Sequence, residues 1–177
     1  MKRICLIGAY LMVVGLPCYR YQVMAQGMSH TGVAILKPTK GSTVKGTVRF
    51  NEVPPNVRIV ADLTGLTPGK HGFHIHDKGD CSAPDASSAG PHFNPEKKMH
   101  GAPDAAEHHM GDLGNIEADA TGHAHYERTV NFLELAVDPN TIDGKAVIVH
   151  AGEDDLHSQP AGNSGARVAC GIILKKR

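Results

Sequence analysis

Two histidines stand two apart in the run GFHIH, His74 and His76, where the sequence reads as the end of a β-strand. Residues i and i+2 of a strand share a face, so both imidazoles project one way while Phe73 and Ile75 project the other. Alone, such a pair is as consistent with a polar strand face as with a metal site. More donors follow. GPHFNP carries His92, and HGAPDAAEHHMGDLGN carries His100, His108, His109 and Asp112. His100, His109 and Asp112 supply two imidazoles and a carboxylate at close spacing, the donor types of a tetrahedral zinc site that lacks one ligand. His92 could complete it. At the end of the apolar run VIVH, His150 could join His74 and His76 in a nitrogen-only site, which suits copper better than cations that prefer oxygen.

These donors must be carried by something rigid. Alternating or short apolar runs bounded by Gly, Pro, Asn or Asp fall at 31–37, 42–53, 56–66, 69–76, 113–122, 123–130, 144–151 and 167–175. They predict about eight strands in an antiparallel sandwich or barrel. Helix-period segments are lacking, and 20 Gly, 11 Pro and 5% aromatics suit many turns between short strands. A chain of 177 residues is the size of one ordinary domain. Two stretches resist strand assignment, 77–112 and 152–166, and loops of that length in a small domain are usually functional. Both border the histidines.

The first residues read as an export signal rather than as fold. Lys2 and Arg3 precede the apolar run Ile4–Leu16, and Val23–Ala25 offers a small-residue cleavage pattern, which places the signal at 1–25 and the mature domain at 26–177. The apolar run is too short for a bilayer span of about 20 residues. Cys18 admits a lipoprotein as a lesser alternative, although Pro17 before it fits that motif poorly. Export leaves Cys81 and Cys170, for which an oxidising compartment favours a disulfide over two buried thiols. It also removes Lys2, Arg3 and Arg20 from 18 basic and 18 acidic residues, leaving a net charge of −3. A weakly acidic chain gives no reason to expect nucleic-acid binding.

Taken together, GFHIH, GPHFNP, the His100–His109–Asp112 spacing followed by LGN, VHAGEDDL and GNSGARVACG resemble the copper/zinc superoxide dismutases over about residues 31–174. The chain looks like the exported bacterial kind. The resemblance implies an all-β, eight-stranded antiparallel Greek-key sandwich or barrel with two long functional loops, and dismutation of superoxide anion to dioxygen and hydrogen peroxide. It implies copper on His74, His76, His92 and His150, and zinc on His92, His100, His109 and Asp112, with His92 bridging the two as an imidazolate. Arg167 matches the arginine beside the copper, Asp154 the carboxylate that hydrogen-bonds one ligand of each metal, and Cys81 and Cys170 the family's disulfide.

The remaining histidines have weaker claims. His71 is expected to be structural, His108 to face away from its neighbour His109, and His123, His125 and His157 to be solvated or locally satisfied. The position of Cys81 directly after Asp80, Lys78 where eukaryotic dimers place an apolar residue, and the short 152–166 loop read as bacterial features. They leave a monomer or a bacterial-type homodimer, periplasmic and without a stable membrane anchor. A non-enzymatic exported copper or zinc buffer on the same fold is the alternative; it would need the ligands but neither Arg167 nor an intact bridge.

Overall fold

The computed structural model describes residues 29–136 and 140–176. The expected signal segment, with Cys5 and Cys18, lies outside them. Eight strands follow in order: β1 His30–Pro38, β2 Lys45–Val53, β3 Asn56–Thr64, β4 Gly69–His76, β5 Asp112–Ala118, β6 Ala124–Val130, β7 Ala146–His150 and β8 Arg167–Lys176. The only helical turn among the described residues is a single 3-10 turn at Ser87–Ala89.

Alternation dictates which way each strand faces. Val48 and Phe50 of β2 and Val57, Ile59, Ala61 and Leu63 of β3 are buried, while Arg49 and Arg58 on the same strands point to water. The β2–β3 register sets Val48 opposite Ala61 and Phe50 opposite Ile59, so the apolar faces coincide. All pairs are antiparallel, and the sheet closes in the order β1-β2-β3-β6-β5-β4-β7-β8. The β3–β4 and β6–β7 connections each skip two strands, which is Greek-key connectivity, and closure leaves no free edge.

β4 departs from alternation because both of its faces are covered. Phe73 and Ile75 enter the barrel core, and His74 and His76 lie under the two long loops, 77–111 and 151–166. A disulfide between Cys81 and Cys170, with Cα atoms 5.8 Å apart and 89 positions between them in sequence, ties the first of these loops to β8. The sequence places β5 through residue 122, but it ends at Ala118, because the Asp119 side chain accepts the N–H of Thr121 and of His123 and turns the chain. Residues 131–136 and 140–145 also fold inward, burying Leu133, Leu135 and Ile142.

Candidate metal centre

Three backbone segments converge behind the histidines. Phe93 N–H donates to Ile75 O, Gly111 N–H to Phe93 O and Ile75 N–H to Gly111 O, each at 2.8 Å. This brings His92 and Asp112 alongside β4. Gly111 is required there, since a Cβ would stand 2.1 Å from Ile75 O. The strand-borne histidines sit at irregularities: the β4–β5 register shifts between Gly72 and His74, and the β7–β8 register between Val149 and His150. Such bulges re-aim the side chains that follow them.

Two groups of donors result, each with its ligand atoms within 4.8 Å of one another: His74, His76, His92 and His150, and His92, His100, His109 and Asp112. All are buried, from 0% exposure at His74 and Asp112 to 7% at His109. In the first group, neighbouring acceptors select the free nitrogen. His76 Nδ1–H donates to Gly90 O at 2.8 Å and His150 Nδ1–H to Gly165 O at 3.0 Å, while His74 Nε2–H donates to Asp154 Oδ2 at 2.8 Å. What remains is one lone pair per ring. Burial pulls the pKa of His74 down to about 3 and that of His150 to about 4, and it lowers His76 and His92 as well. These rings are therefore neutral near pH 7, as ligands must be.

In the second group Asp112 is the organiser. Its Oδ2 accepts the backbone N–H of His109 at 2.8 Å and of Gly101 at 3.1 Å, which turns Oδ1 toward the imidazoles. Oδ1 lies 2.8 Å from His92 Nδ1, 3.0 Å from His100 Nδ1 and 3.4 Å from His109 Nδ1. Burial alone would raise the Asp112 pKa, but the three imidazoles hold it well below the carboxylate range. Burial would likewise depress His100; Asp112 and Asp154 outweigh it and lift this ring to about 9.

Among the described residues, the buried side-chain polar atoms with no hydrogen-bond partner are His74 Nδ1, His76 Nε2, His92 Nε2, His150 Nε2 and His100 Nδ1, the last lying 3.0 Å from Asp112 Oδ1 as an ion-pair contact without hydrogen-bond geometry. An unpaired buried polar group costs about 1–3 kcal/mol, so native folds keep few of them. Five gathered in two neighbouring groups fit metal donors. Four belong to the nitrogen-only group and the fifth to the group with the carboxylate, a division that suits copper and zinc respectively.

Asp154 spans the two groups, accepting from His74 through Oδ2 and from His100 Nε2–H through Oδ1 at 2.9 Å. Its backbone is clamped by Asn115, whose amide donates to Asp154 O at 2.9 Å and accepts Asp154 N–H at 2.8 Å. Arg167 is half-buried, with Nη1 on Ala86 O at 2.6 Å and Nη2 on Gly90 O at 2.7 Å. Gly90 O thus receives both His76 and Arg167, a role that no side-chain pattern in the sequence could announce. Asn115 ends the LGN motif, whose spacing alone points to no partner for it.

The other histidines lie apart from both groups. His71 is buried, with Nδ1 2.9 Å from His150 O and Nε2 2.8 Å from Thr67 O, one of which accepts its N–H. His108 donates to His109 O and packs its ring on Phe132. His125 pairs with Asp62, and His157 bonds within its own turn to Asp155.

Residues 44–173 match the family model described as copper/zinc superoxide dismutase. The chain is 44% identical over 157 residues, 82% of its length and 96% of the relative's, to "Superoxide dismutase [Cu-Zn]" of Onchocerca volvulus. It is 43% identical over 152 residues, 81% of its length and 75% of the relative's, to "Extracellular superoxide dismutase [Cu-Zn]" of Brugia pahangi. Both relatives come from nematodes, so the bacterial kind expected from the sequence finds no support in them.

Proposed function

The chain belongs to the copper/zinc superoxide dismutase family, and from that premise we propose that His74, His76, His92 and His150 hold copper while His92, His100, His109 and Asp112 hold zinc. The protein dismutes superoxide to dioxygen and hydrogen peroxide. The observation that carries the assignment is the set of five partnerless buried nitrogens, which belong to two donor groups that share His92. Bound there, copper supplies one-electron redox chemistry and zinc supplies charge without redox chemistry.

The chain's own residues do the rest. His92 offers Nε2 to the nitrogen-only group and Nδ1 to the Asp112 group, so it alone belongs to both. Peroxide formation consumes two protons, and His92 Nε2, whenever it is not serving as a ligand, would take up one of them and give it back. Arg167 adds a fixed cation beside His76, where its remaining N–H groups attract and orient a small anion. The carbonyls of Ala86 and Gly90 hold the guanidinium in place without neutralising it.

The non-enzymatic buffer is not favoured, since Arg167 and the shared His92 are features that a buffer has no use for. Export to an oxidising space is supported by the Cys81–Cys170 bridge and by similarity to a relative named extracellular. The periplasm is the form this takes if the chain is bacterial. Exposed Ile35, Ile172 and Leu174 on the adjacent strands β1 and β8 support a homodimer rather than a monomer, which sedimentation of the mature protein measures.

The test of the whole reading is superoxide consumption by protein loaded with one copper and one zinc, compared with a His92→Ala variant loaded in the same way. Rapid consumption by the parent and its collapse in the variant are expected. A parent that binds both metals and leaves superoxide untouched would establish the buffer.

A further inference from the structure

We propose that Gln159 is a positioning residue for the zinc site, locking the main chain of His100 through a two-point amide clamp. Gln159 Oε1 accepts the N–H of His100 at 2.9 Å, and Gln159 Nε2 donates to the C=O of the same residue at 2.9 Å. A side-chain amide thereby imitates a β-bridge to a residue 59 positions away in sequence. His100 needs such a lock. It lies in the irregular 77–111 loop, and its ring must hold Nε2–H on Asp154 while aiming Nδ1 alongside Asp112 Oδ1. The ring bonds fix its orientation, and the clamp fixes the point from which it hangs.

The segment bearing Gln159 is built to present it. Asp155 gathers its own turn, accepting the N–H of Ser158 at 2.8 Å and the amide of Asn163 at 3.0 Å and donating its own N–H to Gly162 O at 2.9 Å. Gly162 then passes directly over the Asp154–His100 hydrogen bond: a Cβ there would stand 1.7 Å from Asp154 Oδ1 and 2.7 Å from His100 Nε2, at φ +63°. The 151–166 loop thus reaches the zinc group three times, through Asp154, Gln159 and the backbone of Gly162. Among the described residues, Gln159 makes no hydrogen bond to the nitrogen-only group. Its histidines come from β4, from β7 and from the residue bridged to β4.

The inference rests on the proposed zinc assignment, and the experiment separates the two. The variants are Gln159→Met, which keeps shape and removes both hydrogen bonds to His100 along with the 3.1 Å bond from Nε2 to His157 O, and Gln159→Ala. Copper-loaded protein is titrated with zinc against a competing chelator, and cobalt(II) placed in the zinc site reports its geometry by absorption. Loss of a partner that orients a ligand typically costs about 10–100-fold in metal affinity. Both variants are expected to lose zinc affinity in that range, to shift the cobalt bands and to keep copper affinity and the unfolding midpoint of the metal-free protein. Parent-like zinc affinity in Gln159→Met, or equal loss of both metals, overturns the clamp. If His100→Ala in the parent background leaves zinc binding unchanged, the zinc assignment itself fails instead.

Discussion

At the scale of residues, the site separates what side-chain type announces from what only folding supplies. The seven donors that the structure gathers into two groups are legible in the sequence because they stand in short motifs at close spacing. Gly90 O, Gly165 O and the amides of Asn115 and Gln159 were not, because a carbonyl or a loop amide acquires its meaning from a partner far away in the chain. Asp154 was legible only through resemblance, and the geometry states what it must do: two imidazole N–H groups, on His74 and His100, need two carboxylate oxygens. An asparagine offers one oxygen and would turn its NH2 against the second ring. Asp154→Asn is therefore expected to fold, to keep the disulfide and to lose zinc first. His74 is also held by strand β4, whereas His100 depends on the same loop that carries Asp154. A drop of about 10–100-fold in zinc affinity, read by metal analysis after dialysis, is the expected result; full zinc at parent affinity would remove Asp154 from this role.

At the scale of elements, all eight strands were readable, since alternation marks one buried face and continuous burial marks the two-sided strands β4 and β7. The bulges before His74 and His150 were not, because a register shift depends on the neighbouring strand. Nor was the 77–111 loop, whose course is set by backbone bonds to β4 and by the disulfide. That bridge has two consequences. It closes a long loop in the unfolded chain, which the chain-entropy model values at about 4–5 kcal/mol as an upper guide. It also anchors the segment whose Ala86 and Gly90 carbonyls hold Arg167. Cys81→Ser/Cys170→Ser is thus expected to unfold at markedly lower denaturant concentration and, when metal-loaded and folded, to consume superoxide more slowly than the parent. Parent activity in the folded double variant would detach the disulfide from the site and leave it a role in stability alone.

At the scale of the whole molecule, burial and charge set the response to pH and to salt. His74 and His150, with folded pKa values of about 3 and 4, stay neutral while their unfolded counterparts protonate near 6.5. Metal-free protein therefore loses stability from these groups as pH falls below about 6.5. His100, raised to about 9, contributes in the opposite sense: its share is full below about 6.5 and is lost as pH rises toward 9. The site groups thus predict greatest metal-free stability near pH 6.5, checked by thermal unfolding across pH 4–9. A monotonic rise in stability over that range would show that the site does not govern it.

Salt tests the field that brings the substrate in. Residues 26–177 carry a net charge of −3, so long-range repulsion opposes an anion and attraction must arise locally. Arg167 is a fixed cation beside the nitrogen-only group, sharing the acceptor Gly90 O with His76. Lys98 is paired with Glu96 at 2.6 Å and is a weaker candidate for steering. Arg167→Ile should keep both metals and lose about tenfold or more in second-order rate, equivalent to about 1.4 kcal/mol of lost attraction. Arg167→Lys should fall between, because a point charge replaces a fork whose two arms are held. Since screening lengths shrink from about 30 Å at 0.01 M to about 8 Å at 0.15 M ionic strength, the parent rate should fall with added salt, and the Ile variant's rate should fall less steeply. A metal-replete Ile variant with the parent's rate and salt slope would mean that the attraction arises elsewhere, with exposed Lys97 as the next residue to test.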